Sequence, residues 1–316
     1  METALPTTPP KGKNDLWTVV WGMVVGNAAG GVLLVVSALI GRDPKEKAAL
    51  VGLWGLPFLI GLVAAWIWRP LKLRIGMTLL HSVGTTAIGL IGAAVVLREG
   101  VICLLIVSPL IYVAVAAGAL VGRAFFNRGS SDRLKVSVIP LLAMVIAVEP
   151  NLREAHLEVM TDEITIAARP DQVWPHVLAF SEIPDPPHYW LFRLGLPYPT
   201  STTNAGSFVG ADRACAFSGG VVFEEKIAVF EPNRRLTFDI VKMPPDPELM
   251  GHLDTTRGEF ELRDNGDGTT TLIGRSWFRL HVRPLWYFDW WTRDMGRSVH
   301  LRVMRHVQHL AEANGA

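Results

Sequence analysis

The chain has 316 residues, of which 50% are apolar before glycine is counted and 19% are charged, with a formal net charge of +1. A soluble globular domain reaches about half apolar only with glycine included, so a membrane-embedded portion is implied, and the near-neutral balance offers no global field for nucleic acid. The two cysteines, Cys103 and Cys215, lie in different halves of the chain, which excludes a CxxC metal site and argues against a disulfide.

Four long apolar stretches come first: Trp17 to Ile40, Ala48 to Trp68, Ile75 to Leu97 and Val101 to Val121. A hydrocarbon core of about 30 Å takes roughly 20 apolar residues in a helix, the form that satisfies its own backbone polar groups. Each stretch meets that length, and the charged links between them are short enough to force antiparallel neighbours. Lys11 and Lys13 precede the first stretch, whose apolar run continues through Val36, so it reads as an uncleaved span rather than a signal peptide. Gly22, Gly26 and Gly30 recur every fourth residue, as do Gly118 and Gly122. Small residues at this spacing let helices approach closely, either within the bundle, the reading preferred, or across a homo-oligomer through Gly22, Gly26 and Gly30. Asn27 and His81 are isolated polar groups at membrane depth. Without Asp or Glu beside them they form no proton relay.

A fifth apolar stretch, Val136 to Val148, is short for a span. Lys and Arg counting places the N-terminus in the cytoplasm: nine then fall inside (Lys11, Lys13, Arg69, Lys72, Arg74, Arg123, Arg128, Arg133, Lys135) against four outside (Arg42, Lys45, Lys47, Arg98). If the fifth stretch crosses, which is the preferred reading, the remainder of the chain is extracytoplasmic; if it is re-entrant, that remainder is cytoplasmic. The expected setting is a multi-pass protein of a bacterial cytoplasmic membrane, with the bilayer as a partner, a membrane bundle over residues 1–150 and a soluble domain over 160–316.

From Ile164 the pattern changes. Ile164 to Ala167 reads as a strand, and Arg169-Pro170-Asp171 opens a helix that Pro175 shortens or bends. A Pro-rich stretch over 181–206 precedes strands at 208–217, 221–230, 235–242, 256–263 and 269–281, separated by Gly-, Asn- and Pro-bearing turns. A final helix over Asp294 to Ala311 places Met295, Val299, Val303, Val307, Leu310 and Ala311 on one side, joined by His300 and His306, with Arg297, Ser298, Arg302, Arg305 and Gln308 on the other. The order is that of an α+β domain.

Taking register from the turns sets Cys215 against Phe223, Arg213 against Glu225, Ile227 against Phe238, and Val229 against Leu236. One face then carries Cys215, Phe217, Phe223, Ile227, Val229, Leu236 and Phe238, and with them Arg213 and Glu225. Lys226 and Asp239 form a solvated pair on the other face. An Arg and a Glu opposed on an apolar face compensate each other, either as a structural ion pair or as a polar anchor for a ligand head group in a greasy site. His300 is similarly a hydrogen-bonded core residue or a ligand-binding or acid–base group, and the one weak candidate for catalysis. No histidine spacing matches a metal motif, so neither metal nor cofactor is expected. Trp286, Tyr287, Phe288, Trp290 and Trp291 crowd just before the last helix and, with Tyr189 and Trp190, suit a lid at a membrane interface.

The run ITIAARPDQVWPHVLAFSEIP resembles the opening strand and helix of the SRPBCC superfamily, the helix-grip group that includes START domains and polyketide cyclase/dehydrase-like proteins. VGADRACAFSGGVVFEEKIAVFEPNRRLTFDIV and GTTTLIGRSWFRL resemble its middle and late strands. The resemblance covers about residues 160 to 312. It implies a curved antiparallel sheet wrapped around a long C-terminal helix, enclosing an apolar cavity for a lipid-, isoprenoid- or polyketide-like ligand, and it carries no universal catalytic residue. The fold class expected is thus an α-helical transmembrane bundle followed by an α+β helix-grip domain. Residues expected at the ligand are Arg213, Cys215, Phe217, Phe223, Glu225, Ile227, Phe238, His300, Val303 and Val307. The leading functional expectation is membrane-anchored binding or transfer of such a ligand; the alternatives are a cyclase, dehydratase or hydrolase acting on it, or a ligand-sensing signalling protein.

Overall fold

A computed structural model describes residues 11–40, 51–126, 157–244 and 252–313, in two compact units, Met1–Leu152 and Arg153–Ala316. The fifth apolar stretch, 136–148, lies outside the described residues.

The first unit contains α1 (Lys11–Ile40), a π-helical turn (Val51–Gly55) leading into α2 (Leu56–Trp68), α3 (Ile75–Gly92) continued by a second π-helical turn (Ala93–Leu97), and α4 (Val101–Phe126). Four helices here are long and apolar enough to cross a membrane. Glycines set their packing. A Cβ at Gly22 would enter the Trp68 ring, one at Gly26 would press on the Ile60 carbonyl, and one at Gly30 would meet the Ile60 side chain. These three glycines thus pack against α2 within the chain, the preferred of the two readings of their spacing. Gly61 and Gly118 likewise bring the backbones of α2 and α4 together. Asn27 Nδ2 donates to the carbonyls of Met23 (2.8 Å) and Thr85 (3.0 Å), tying α1 to α3. Trp68 Nε1 donates to the Val19 carbonyl at 3.0 Å, and the His81 ring lies edge-on to Trp68. Pro109, inside α4, deprives the Leu105 carbonyl of its usual donor; the Ser108 hydroxyl donates to that oxygen instead, at 2.8 Å.

Among the described residues, the second unit is a seven-stranded antiparallel sheet with three α-helices. Its strands are β1 (Glu158–Ile166), β2 (Pro199–Asn204), β3 (Asp212–Phe217), β4 (Val222–Glu231), β5 (Arg235–Lys242), β6 (Leu253–Asp264) and β7 (Thr270–Leu280), in the order β1-β7-β6-β5-β4-β3-β2. The helices are α5 (Pro170–Leu178), α6 (Trp190–Arg193) and α7 (Leu285–Ala313). β1 and β2 are the two edges of the sheet, yet α7 reaches both: Gln308 Nε2 donates to the Thr165 carbonyl on β1 and Arg302 Nε to the Pro199 carbonyl on β2. A seven-stranded sheet whose opposite edges touch one helix must curl around it, and the sheet's handed twist supplies that curl. This is the helix-grip arrangement.

The C-terminal half of α7 is solidly packed. Val303, Met304, Val307 and Ala311 join Ile166, Val173, Val177, Ile227, Leu236, Phe238, Phe260, Leu262 and Leu272 in one buried cluster. Each fully buried aliphatic residue contributes about 1.5–3 kcal/mol. Over this half the expected hollow is filled by the domain's own side chains.

Several boundaries differ from the sequence expectation. β2 lies inside the Pro-rich stretch, and β3 starts at Asp212 because 206–211 form a turn rather than a strand. α7 starts at Leu285, so the aromatic run belongs to its first turns and does not precede it. A bulge between Ile227 and Val229 advances the register, pairing Val229 with Thr237 and Phe230 with Leu236; Phe230, not Val229, packs on the inner cluster. Lys226 and Asp239 are cross-strand neighbours as expected, but their closer ionic partners are Asp212, at 3.5 Å, and Arg257, at 2.7 Å.

Candidate functional site

The inner face of the sheet carries two polar groups. The first is built on β3 and β4. Their register pairs Arg213 with Glu225 and Cys215 with Phe223, as the turn-based reading sets them. Arg213 Nη1 donates to Glu225 Oε2, and the two side chains are 2% and 5% exposed. The guanidinium carbon lies 4.3 Å from the centroid of the Phe238 ring, a stacking worth most where water is excluded. Arg213 Nε is buried without a hydrogen-bond partner. Burial raises the affinity of the Glu225 carboxyl for a proton, and the neighbouring guanidinium opposes that shift. The thiol of Cys215 accepts a hydrogen bond from the Thr202 hydroxyl at 3.6 Å; burial, followed by the Glu225 charge, pushes its pKa up to about 11. It is an unreactive buried thiol rather than a nucleophile. The Phe217 ring packs at a tilt against Phe223, with ring centroids 4.7 Å apart.

The second group joins β1, β7 and α7. The His300 ring, 8% exposed, contacts Asp162 Oδ2 through Nδ1 at 2.9 Å and the Ser276 hydroxyl through Nε2 at 2.7 Å. The Asp162 carboxylate can only accept, so in the neutral imidazole the proton sits on Nδ1 and the lone pair of Nε2 receives the Ser276 O–H. Arg297 Nε stands 3.6 Å from the other carboxylate oxygen.

The two groups lie on neighbouring parts of one surface. Met160 pairs with Ser276, Ser276 with Gly258, and Gly258 with Phe238. Phe238 leans over Gly258, whose missing side chain leaves room for the ring. From β7 to β5 is about 10 Å at normal strand spacing, so hydroxyl, phenyl ring and guanidinium follow one another along the inner face.

Among the residues expected at a ligand, Arg213, Cys215, Phe223 and Glu225 come together with Phe217 at their edge. Ile227, Phe238, Val303 and Val307 belong to the packed cluster, although Phe238 also bears the Arg213 guanidinium. His300 faces inward as expected. Its partners Asp162 and Ser276 escaped the sequence reading, because they meet only through the pairing of β1 with β7, more than a hundred residues away, which no turn records. Among the described residues no group of three or more potential metal ligands occurs.

The aromatic residues of α7 and α6 do converge. The Trp190 and Trp291 ring centroids are 6.3 Å apart and those of Trp290 and Trp291 are 4.8 Å apart, while Tyr189 donates to Asp294 at 2.5 Å. Trp286, Trp290 and Trp190 remain 65%, 61% and 46% exposed.

No family model matches the chain, and no curated protein matches it. Among solved structures it is similar to a protein of Nitrosospira multiformis (16% identity, 48% of this chain and 94% of that one, TM-score 0.34). It is also similar to an uncharacterised protein of Bacillus thuringiensis (20% identity, 48% and 97%, TM-score 0.35). A third is norcoclaurine synthase of Thalictrum flavum, solved with dopamine and hydroxybenzaldehyde (11% identity, 49% and 87%, TM-score 0.33).

Proposed function

We propose that the chain is a membrane-anchored binding protein whose C-terminal domain takes up a hydrophobic molecule bearing an uncharged polar group. The observation that carries this reading is the Arg213–Glu225 pair, buried among apolar side chains of the inner face with Arg213 Nε unpartnered. A buried ion pair is rarely better for stability than apolar residues of the same volume, which supports a role beyond holding the fold. The pair is electrically neutral as a unit, so it favours a ligand group that both donates and accepts, such as a hydroxyl, over an anion that Glu225 would repel. Four apolar helices keep such a domain at a lipid surface, raising the concentration of lipid-like molecules it meets. The exposed tryptophans of α6 and α7 suit the interfacial zone.

Replacing both partners, Arg213→Met with Glu225→Leu, separates anchor from structural pair. The double variant should keep its thermal midpoint but lose binding of a fluorescent long-chain alcohol, measured on the full chain in nanodiscs; the matching long-chain carboxylate should bind the wild type more weakly. Glu225→Gln alone, which leaves the guanidinium unpaired, should cost about 3 kcal/mol of stability. Unchanged alcohol binding by a folded double variant would leave the pair with a structural role only.

A further inference from the structure

The geometry of the second polar group points to an acyl-transfer site: Ser276 as nucleophile, His300 as its general base and Asp162 as the residue that positions His300, acting on a neutral ester of hydrophobic character. Three observations carry it. The chain of contacts runs in the order hydroxyl, Nε2, Nδ1, carboxylate at 2.7 and 2.9 Å, the arrangement that activates a serine. The Asp162 carboxylate fixes the tautomer, leaving a lone pair at the serine end, and is itself only 13% exposed, so its hold on the imidazole is weakly screened. Ser276 retains part of its accessibility on a face where its neighbours Gly274 and Phe278 are buried.

A structural hydrogen bond would not require this order. A serine in a strand can satisfy itself on backbone or water, and a histidine needing burial can bond one carbonyl. Here three side chains from three elements contact one another in sequence, with His300 using both ring nitrogens.

The step balances with water as the sole co-reactant. The Ser276 oxygen forms a bond to the ester carbonyl carbon as its proton passes to His300 Nε2. The bond from that carbon to the alcohol oxygen breaks, and the departing oxygen takes the proton from His300. Water then repeats the sequence: its oxygen bonds to the acyl carbon, its proton goes to His300, and the Ser276 oxygen leaves and recovers it. Acid and alcohol are released with the serine regenerated. The substrate class rests on the binding reading above, because it is that reading which places an uncharged polar group beside Phe238 and Arg213. The reactivity of Ser276 does not depend on it.

The test uses the full chain in detergent with a fluorophosphonate probe, which phosphonylates activated serines, and peptide mass mapping of the adduct. Ser276 should carry the adduct. His300→Gln should slow labelling at least tenfold. Asp162→Asn, which keeps the side-chain shape, should lower the maximal labelling rate while leaving the probe concentration at half-saturation and the thermal midpoint unchanged. A folded chain with Ser276 unmodified overturns the proposal, and so does an adduct that forms at the same rate in Asp162→Asn. Should His300→Gln fail to fold, the Asp162→Asn comparison decides alone. Loss of alcohol binding in the Arg213→Met/Glu225→Leu variant with Ser276 labelling intact would show that the two sites stand independently.

Discussion

His306 is 5% exposed, its Nε2 is buried without a partner, and its ring lies edge-on to Phe180 at 5.9 Å. Burial is the chief cause that holds its proton affinity below the ordinary value, against the opposing pull of a backbone hydrogen bond to Ser181 and of Asp185. In the unfolded chain the same imidazole protonates at about 6.5. As pH falls through that value the unfolded state takes up a proton that the folded state refuses, so stability is full above it and declines until the lower folded value is passed. His306→Gln removes this titration. Thermal unfolding at pH 7.5 and 5.5 should therefore show a smaller acid-induced drop in midpoint for the variant than for the wild type; equal drops would assign the acid sensitivity to other groups. At this scale the sequence was legible for face and illegible for partner. Helical spacing alone puts His300 and His306 on the apolar side of α7, but whether a side chain opposite is Asp162, Ser276 or nothing depends on pairings that close over more than a hundred residues. Met304, fully buried above Gly274, lies outside the row of valines for a related reason: the buried stripe is broader than that row suggests.

The elements divide by how much of their stabilising partner lies nearby in the chain. The β4–β5 and β6–β7 turns declare themselves through an asparagine and glycines with positive φ, Asn233, Gly266 and Gly268, so the strand ends that flank them are readable to within a residue. β2 is Pro-Thr-Ser-Thr-Thr-Asn, without an apolar alternation; it is a strand because β3 offers it a ladder. The first turns of α7 lack a polar face, which hid their helicity, although Pro284 immediately ahead of Leu285 is a helix-start signal. In the membrane unit the spacing of small residues was informative and their partners were not. Gly61 and Gly118 lie where α2 and α4 touch backbone to backbone: a methyl group at either would overlap a carbonyl oxygen, of Val115 and Phe58 respectively. Gly118→Ala should thus push the helices apart and cost about 1–3 kcal/mol, read as a lower thermal midpoint in detergent. Gly31 on α1 has nothing within 4 Å of an added Cβ, so Gly31→Ala should be neutral or stabilising by about 0.5–1 kcal/mol through helix propensity. If both substitutions behave alike, close glycine contact is not what holds this bundle.

For the whole molecule, sidedness follows from counting crossings. Summed over the loops, Lys and Arg favour an inside N-terminus by nine to four, and if each of the four helices that are long and apolar enough to cross does so, the chain returns to the side where it began. In that topology the basic run Arg123, Arg128, Arg133 and Lys135 would face the cytoplasm, as the positive-inside bias favours. Whether the C-terminal domain shares that compartment depends on residues 136–148 alone. Their 13 residues would reach only about 20 Å as a helix, short of the usual hydrocarbon thickness, yet they contain no charged residue, and leaving an uncharged apolar run in water is the costlier arrangement. We propose a thinned crossing, with the domain outside. Alkaline phosphatase fused after Ala316 should then be active and a green fluorescent protein in the same place dark. Deleting 136–148 should reverse both signals by restoring an even number of crossings. A fluorescent, phosphatase-inactive fusion of the intact chain would put the domain in the cytoplasm, so that its ligand would have to come from the inner leaflet.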